Sequence, residues 1–293
     1  MVTPNDVSKA VLITGCSSGI GRATATRLAS NGWTVYATAR RPESIADLER
    51  GGARTLALDV CDERSMAAAV EHVEAAHGAV GVLVNNAGYS QSGAIEEVPL
   101  DFVRREFETN VFGLARMAQL VLPGMRRQGW GKIVNISSIG GELTFPGGGY
   151  YHASKHAVEA LSDALRFEVR GFGVGVIVVR PGLIRTGFAD AVASGIEQAG
   201  LGDGPYAEFT DAVATATREA YEKGPLAKLG GPPEAVAKTI ERAIRARRPK
   251  PRYSVTPSAK LMLTLRRLMT DRMWDAFLRS QFPAPTTKEE NDG

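Results

Sequence analysis

The sequence predicts an α/β fold, a doubly wound parallel sheet of about seven strands with helices on both faces. Short apolar segments alternate with longer helical segments along most of the chain, which is the order of βαβ crossover units. The first apolar segment, residues 9–15, leads directly into a glycine-rich turn, as a buried parallel strand does. Because no repeat or low-complexity linker interrupts the alternation, we expect residues 1–258 to form one domain.

The remaining elements follow from their local patterns. Apolar runs predict strands at residues 33–38, 55–58, 81–85, 132–136 and 174–180, with a late strand at residues 252–255. Helical stretches are predicted at residues 19–30, 45–50, 62–76, 100–127 and 150–170. Residues 183–228 have no strand pattern, and a connection of that length predicts a substrate-binding lid with helices of its own. Residues 259–293 predict a helical C-terminal extension and a polar tail.

The composition is that of a globular protein without an export signal. The chain has 293 residues, 44% hydrophobic and 23% charged, which is enough apolar material for a buried core. No run of about 18 apolar residues predicts a spanning helix. The first eight residues lack the apolar stretch of a secretory signal, so we expect a cytoplasmic protein in which Cys16 and Cys61 are free thiols.

Positive charge is concentrated near the C-terminus. The net charge is +3, but residues 240–280 alone hold eleven Lys/Arg against three Asp/Glu. The rest of the chain is therefore slightly acidic, which argues against nucleic acid as a partner. Residues 259–282 mix apolar residues with arginines, and two alternatives stay open for them. They could lie on an anionic membrane surface, or they could pack on their own domain or on a neighbouring subunit.

The glycine-rich turn stands where a nucleotide phosphate would bind. Glycines allow a tight turn and close approach of the backbone, and a following helix offers free N–H groups. At the first strand–helix junction of a doubly wound sheet, this pattern favours a dinucleotide site and a Rossmann-type domain. The residues are Gly15, Ser17, Ser18, Gly19, Ile20 and Gly21. A second segment, Asn86, Ala87 and Gly88, ends the fourth predicted strand and reads equally as cofactor pocket or as an ordinary turn.

Two arginines favour NADP(H) over NAD(H). A free ribose 2′-hydroxyl is usually met by an acidic residue after the second strand, and here Arg40 and Arg41 follow instead. Guanidinium groups suit a 2′-phosphate, although a solvated basic loop would also account for them. Asp59 and Val60, after the third strand, are expected near the adenine.

Tyr151 and Lys155 form a candidate proton-transfer pair. Four residues apart on a helix, they share one face, and a cation beside a phenol favours the phenolate. Ser138, at the end of the fifth predicted strand, can offer its hydroxyl to a substrate carbonyl or alkoxide. His152 and His156 also share a helical face, but no further ligand stands beside them, so we expect no metal site.

These motifs, in this order, resemble the short-chain dehydrogenase/reductase family over residues 9–186, with a looser resemblance to its 17β-hydroxysteroid and retinol dehydrogenase-like group. The resemblance implies that Tyr151 is the general acid or base, that Lys155 lowers its pKa and holds the nicotinamide ribose, and that Ser138 orients the substrate. It implies that Asn110 anchors a proton-relay water. It also implies that a segment closing over the nicotinamide contains Pro181, Gly182, Ile184 and Thr186.

We therefore expect an NADP(H)-dependent oxidoreductase for a small lipophilic alcohol or carbonyl compound. The residues framing the expected pocket are mostly apolar or aromatic. A homodimer or homotetramer is expected from the resemblance. Two alternatives stay open, a non-redox binding or regulatory protein and an epimerase or dehydratase that uses the same Tyr-Lys chemistry. The intact Ser138, Tyr151, Lys155 and Asn110 set argues against the first, and the lack of a large C-terminal sugar-nucleotide domain argues against the second.

Overall fold

Seven parallel strands form one sheet in the computed structural model, which describes residues 7–223, 225–282 and 285. Their spatial order is β3-β2-β1-β4-β5-β6-β7. The sheet therefore extends to one side from β1 to β3 and to the other side from β4 to β7, with β1 and β4 adjacent. The predicted fold class, with its seven strands, is confirmed. The strands are β1 (Val11–Ile13), β2 (Val35–Ala39), β3 (Arg54–Ala57), β4 (Val82–Asn85), β5 (Gly131–Ile136), β6 (Val174–Arg180) and β7 (Arg252–Ser254).

Helices cover both faces of the sheet because successive strand residues point to opposite sides. Val11 and Ile13 of β1 pack towards α1 (Gly19–Ser30) and α9 (Pro233–Arg245). Leu12, between them, joins the opposite core, to which α2 (Glu63–His77), α4 (Leu114–Gln128) and α5 (Gly149–Glu168) contribute. Both layers are mainly apolar along the central strands, as expected for a sheet that is buried on both sides, although Asn85 and Asn135 are buried there with hydrogen bonds.

The predicted long helix at residues 100–127 is interrupted, which corrects the sequence-based expectation. It consists of α3 (Leu100–Phe107), a wide π-helical segment (Glu108–Gly113) and α4. Gly113 lies close to the neighbouring chain, since a Cβ there would stand 2.4 Å from the Val60 carbonyl oxygen. π-Helical turns often occur at functional sites, and this one holds Asn110 in the interior. The helical stretch predicted at residues 45–50 lies in a 3₁₀ helix, Pro42–Gly51.

Three helices follow β6 where a lid segment was predicted. They are α6 (Phe188–Gln198), α7 (Ala207–Glu222) and the short α8 (Pro225–Lys228). After β7 the chain forms α10 (Pro257–Leu268) and α11 (Asp271–Gln281). The buried side of α10 and α11, with Met262, Leu263 and Trp274, packs on Ile139 and Leu143.

The outer side of α10 and α11 exposes large apolar side chains, which are Leu261, Leu265, Leu268 and Met273. The predicted polar tail lies outside the described residues except for Pro285. Among the helices of the described residues, none combines the length and the apolar character needed to cross a bilayer.

Candidate active site

The candidate site lies at the carboxyl ends of β1, β4, β5 and β6, where open α/β sheets bind ligands. The turn after β1 is built around close backbone contacts. Gly15 has a φ of +72°, and a Cβ there would stand 2.9 Å from the Ala87 Cα. At Gly21, a Cβ would lie 2.3 Å from the Gly15 carbonyl oxygen. Side chains are therefore excluded at both positions, because the turn packs tightly against Ala87, Asn86 and its own backbone.

Asn86 and Thr14 lock this turn to the end of β4. Asn86 Nδ2 donates to the carbonyl oxygens of Thr14 (3.0 Å) and Gly15 (2.9 Å). The Thr14 hydroxyl accepts from the backbone N–H groups of Asn86 and Ala87, both at 3.0 Å. Asn86 therefore stabilises the glycine-rich turn, and its place in a cofactor pocket stays a prediction. The role of Thr14 was missed, although the residue stands directly before the first glycine.

The start of α1 is free to meet an anion. Ser17 and Ser18 are exposed, and the Ser18 side chain makes no capping hydrogen bond to the helix. Gly19 faces the segment after β6, since a Cβ on it would lie 3.2 Å from Thr186 Cγ2. Ile20 packs partly against the core. The arrangement places unsatisfied helical N–H groups and their dipole at the mouth of the crevice.

Arg40 and Arg41 lie at the end of β2 with exposed side chains. Within the described part of the chain, neither guanidinium makes a hydrogen bond or an ion pair. Asp59 is half-buried and accepts from the Cys61 backbone N–H (3.0 Å), and Val60 is buried. The edge of the crevice near β2 and β3 therefore carries two unengaged cations.

Tyr151 and Lys155 lie on the first turns of α5, opposite the end of β5. Lys155 is 6% exposed, and its Nζ lies 5.7 Å from the centre of the Tyr151 ring. The Nζ donates to the Ile136 carbonyl oxygen at 3.1 Å. Ser138 caps a short 3₁₀ turn by accepting from the Gly140 N–H at 3.1 Å, and its hydroxyl lies near enough to the Tyr151 phenol to influence the pKa of that group.

Asn110 is buried in the π-helical segment and ties the neighbouring elements together. Its Nδ2 donates to the Tyr89 carbonyl oxygen (2.8 Å) and to Ser154 Oγ of α5 (3.0 Å). Its Oδ1 accepts from the Tyr89 N–H at 3.0 Å. Gly88 leaves room between Asn110 and Lys155, since a Cβ on it would lie 2.9 Å from Asn110 Oδ1. The structure thus brings Asn110, Ser138, Tyr151 and Lys155 into one cluster.

Burial sets the proton affinities in this cluster. It raises the pKa of Tyr151 to about 12, with the Ser138 hydrogen bond acting in the opposite direction and the charge of Glu106 adding to the rise. Burial lowers the pKa of Lys155 to about 8, against the opposing charge of Glu106. In the protein alone, loss of solvent thus moves the phenol pKa in the direction opposite to the one expected from Lys155, and the effect of Lys155 itself stays a prediction.

Glu106 is a site residue that the sequence analysis missed. It is fully buried in the last turn of α3, and burial raises its pKa to about 7, while the Gln91 N–H and the charge of Lys155 act to lower it. One signal was available in the sequence, because Glu106 stands four residues before Asn110 and thus on the same face of the predicted helix.

The segment after β6 forms the other wall of the crevice. The Pro181 carbonyl oxygen accepts from the Ile139 N–H at 3.0 Å. Gly182 lies against α10, since a Cβ on it would be 2.4 Å from Thr256 Oγ1. Ile184 is buried, and its carbonyl oxygen accepts from Thr186 Oγ1 at 3.4 Å. These contacts hold the segment in place, and only Thr186 reaches the glycine turn.

Aromatic side chains surround the approach to Tyr151. The Phe188 ring centre lies 5.7 Å from that of Tyr151 and 5.5 Å from that of Tyr221. A largely apolar cavity of about 560 Å³ opens between the 93–95 and 142–149 segments and α11. Its lining includes Leu143, Phe145, Phe209, Trp274 and Leu278. None of the four cluster residues lines this cavity, and its lining also includes the charged Glu142, Arg266 and Asp275. It is connected to the cluster through Phe145, whose ring lies 5.9 Å from that of His152, the residue next to Tyr151.

His152 lies in the interior beside the backbone of the 139–141 turn. It is buried, its Nδ1 lies 3.3 Å from the Gly140 carbonyl oxygen, and burial lowers its pKa to about 4. The described residues contain no group of three or more His, Cys, Asp or Glu side chains placed to hold a metal ion.

Comparison with known proteins identifies the family. The family model described as short chain dehydrogenase matches residues 9–197, well over half of the chain. The chain belongs to this family. This short-chain dehydrogenase is 36% identical over 272 residues to human 17-beta-hydroxysteroid dehydrogenase type 1, covering 87% of this chain and 80% of the relative. The resemblance drawn from the motifs is confirmed.

Two bacterial relatives have names that specify a reaction. The chain is 45% identical over 181 residues to 3-ketodihydrosphingosine reductase of Bacteroides thetaiotaomicron, a match covering 61% of this chain and 65% of the relative. It is 36% identical over 273 residues to NADPH-dependent 3-dehydrocapnine reductase of Ornithobacterium rhinotracheale, covering 90% and 94%. Because such relatives are reductases and the fold and family agree, this short-chain dehydrogenase is an oxidoreductase.

Solved structures of the family include both forms of the cofactor. A short-chain dehydrogenase/reductase from Burkholderia phymatum in complex with NAD has a TM-score of 0.76 and 30% identity, covering 96% of this chain and 98% of that one. A serine dehydrogenase complexed with NADP+ has a TM-score of 0.72 and 26% identity, covering 85% and 94%. The comparisons thus support a nicotinamide cofactor and leave the choice between its two forms to the residues of this chain.

Proposed function

We propose that the protein is an NADPH-dependent reductase of lipophilic ketones, working through Tyr151. The observation that carries the proposal is the buried cluster of Asn110, Ser138, Tyr151 and Lys155 at the carboxyl ends of the strands. Family membership favours this oxidoreductase activity over a scaffold used only for binding. It also weakens the epimerase alternative.

The residues present fit a dinucleotide. The glycines allow the tight turn that leads into α1, and the uncapped start of α1 offers N–H donors to phosphates. Arg40 and Arg41 would hold a 2′-phosphate, Asp59 and Val60 would lie beside the adenine, and Lys155 would hold the nicotinamide ribose. When bound, the reduced nicotinamide supplies the hydride that adds to the carbonyl carbon.

The protein's own groups handle the oxygen of the substrate. Ser138 Oγ donates to the carbonyl oxygen and fixes its position beside Tyr151. As hydride reaches the carbon, the oxygen becomes an alkoxide and takes the phenolic proton of Tyr151. A pKa of about 12 in the protein alone keeps Tyr151 protonated at neutral pH, ready to act as the acid. The charge of Lys155 would then favour the resulting phenolate, and solvent would return the proton to Tyr151 through a water relay anchored near Asn110.

The substrate is proposed to be a ketone attached to an apolar chain. The cavity beside the cluster is lined mainly by apolar and aromatic side chains, which favour an alkyl or ring portion over a charged one. Two relatives are named as reductases of 3-ketodihydrosphingosine and 3-dehydrocapnine, and the comparison supports a ketone on an amphipathic molecule.

The proposal is tested by following NADPH oxidation at 340 nm with a panel of carbonyl compounds. The panel contains short and long alkyl ketones, 3-keto amphiphiles, steroid ketones, aldehydes and quinones, each also run with NADH. We expect turnover with apolar ketones, increasing with chain length, and faster turnover with NADPH. NADPH binding without oxidation by any carbonyl in the panel would refute a reductase function.

A further inference from the structure

One buried carboxylate near the cluster has no role in the proposed proton transfer. Glu106 is 0% exposed, and its Oε1 accepts from the Gln91 backbone N–H at 3.1 Å. Its Oε2 is also buried, and no hydrogen-bond partner for it occurs among the described residues. Burial of an unsatisfied carboxylate oxygen is costly, so the position calls for a physical reason.

The groups that face Glu106 belong to the candidate site. Helix α3 packs against α5, where the charge of Glu106 acts on Lys155 and Tyr151, and in the loop after β4 it acts on Tyr89. Arg105, its neighbour on α3, points elsewhere, with its guanidinium 4.2 Å from the centre of the Phe102 ring. The cationic group that Glu106 influences is therefore Lys155, whose own hydrogen bond goes to a backbone carbonyl.

Glu106 also connects the cluster to the lid. The Gln91 backbone that it holds carries a side chain whose Nε2 donates to the Gly195 carbonyl oxygen of α6 at 3.1 Å. The same Nε2 donates to the Ser92 carbonyl oxygen at 3.2 Å. Four residues further along the chain, Asn110 binds the Tyr89 backbone from the same side. Glu106 and Asn110 thus fix the two ends of the 89–91 segment.

We propose that Glu106 is a positioning residue whose buried negative charge keeps Lys155 protonated and delays loss of the Tyr151 proton, while its Oε1 secures the Gln91 link to the lid. The inference rests on the proposed reductase function, in which both groups must carry their protons. Its direction follows from electrostatics, since a nearby anion favours the protonated form of an amine and of a phenol. The charge of Glu106 thus favours the protonated form of Lys155 and that of Tyr151, and its removal should make both groups lose their protons more easily.

The negative charge of Glu106 develops around neutral pH and is complete above it. Burial raises the pKa of Glu106 to about 7, so the carboxyl ionises as the pH passes neutrality. Lys155, with its pKa lowered to about 8, would begin to lose its proton in the same range. Glu106 therefore becomes negatively charged in the pH range in which Lys155 would otherwise begin to lose its proton.

Glu106→Gln removes the negative charge but keeps the size of the side chain and a hydrogen-bond acceptor, because its amide oxygen can still accept from the Gln91 N–H. The main measurement is the dissociation constant of NADPH against pH, from nicotinamide fluorescence. We expect the alkaline loss of affinity to begin about 1 pH unit lower in the variant, as the ribose-holding amine deprotonates earlier. The alkaline limb of kcat/KM for ketone reduction should shift in the same direction. Glu108→Gln, an exposed position two residues away, is the control and should leave both profiles unchanged.

Glu106→Ala tests the second part of the proposal, because it removes the acceptor as well as the charge. We expect its ketone KM to rise several-fold above that of Glu106→Gln, since the Gln91 link to α6 is loosened. Binding and rate profiles of Glu106→Gln that match those of the wild type would overturn the electrostatic role. Equal KM values for the two variants would overturn the link. Failure of the wild type to reduce any carbonyl, with a shifted binding profile in Glu106→Gln, would refute the reductase function instead.

Discussion

Individual side chains at this site act through their burial as much as through their chemistry. Tyr151 and Lys155 stand four residues apart, and that spacing alone suggests a phenol with a lowered pKa. In the folded chain, loss of solvent moves the pKa of Tyr151 up and that of Lys155 down. The phenol of Tyr151 is therefore protonated at neutral pH in the protein alone, and we expect that the charge of a bound oxidised nicotinamide would be needed to favour its phenolate.

Arg40 provides the sharpest test of cofactor choice. Arg40→Asp removes a cation from the place proposed for the 2′-phosphate and adds a repelling charge. We expect NADPH to bind about ten- to a hundredfold more weakly, because a charge-assisted hydrogen bond contributes about 1.5–3 kcal/mol. NADH affinity should change little. Titrations of both cofactors check this, with Arg50→Asp as an exposed control. Equal weakening of NADPH and NADH would contradict the assignment.

His152 should make the protein less stable in acid. Its pKa in the folded chain is about 4, below the ordinary value of 6.5, so the unfolded chain binds a proton that the folded chain does not. Stability is therefore fully present above pH 6.5 and is lost as the pH falls towards 4, by about 3 kcal/mol.

The test compares urea unfolding of the wild type and His152→Gln at pH 7 and pH 4.5. We expect the free energy of unfolding of the wild type to fall more steeply with acid than that of the variant. His72→Gln, at an exposed position, controls for loss of an imidazole elsewhere. Parallel pH profiles for wild type and His152→Gln would show that burial of this ring has no such effect.

Among the elements, those with strong local signals were predictable and those shaped by tertiary contacts were not. The β1–α1 turn and α5 carry their glycines and their Tyr-Lys spacing in the sequence. The π-helical segment depends on the approach of Gly113 to the Val60 carbonyl and on the contacts of Asn110 with Tyr89, which no local pattern records. The burial of Glu106 arises in the same way, because it requires the 89–91 segment to fold over α3.

Helix α11 should stabilise the wall of the cavity. Trp274 is 5% exposed and packs on Phe145 with 5.9 Å between ring centres. We expect Trp274→Ala to lower the free energy of unfolding by about 3 kcal/mol, because it removes a large buried ring. Urea unfolding checks this against Met273→Ala, whose neighbouring side chain is 52% exposed and should matter little. A similar loss in both variants would mean that α11 does not pack as described.

For the molecule as a whole, the sheet architecture could be predicted from the sequence, whereas the surroundings of the candidate site could not. Alternating strands and helices predict a parallel sheet. The motifs lie at its carboxyl edge, near the switch point between β1 and β4 where such sheets bind ligands. The sequence could supply the identities of Asn110, Ser138, Tyr151 and Lys155. It could not supply the burial around them or the nearby apolar cavity, because these depend on the packing of α6, α7 and α11 against the loops that follow the strands.

The most direct test of the account is the turnover of Tyr151→Phe with a ketone that the wild type reduces, measured alongside NADPH binding. The change removes one hydroxyl and leaves the ring packed against Phe188. We expect kcat to fall by roughly a hundredfold or more, the contribution of a positioned proton donor, while NADPH affinity stays within a few-fold of the wild type. Wild-type turnover in a variant that binds NADPH normally would contradict the central claim that this phenol gives its proton to the substrate.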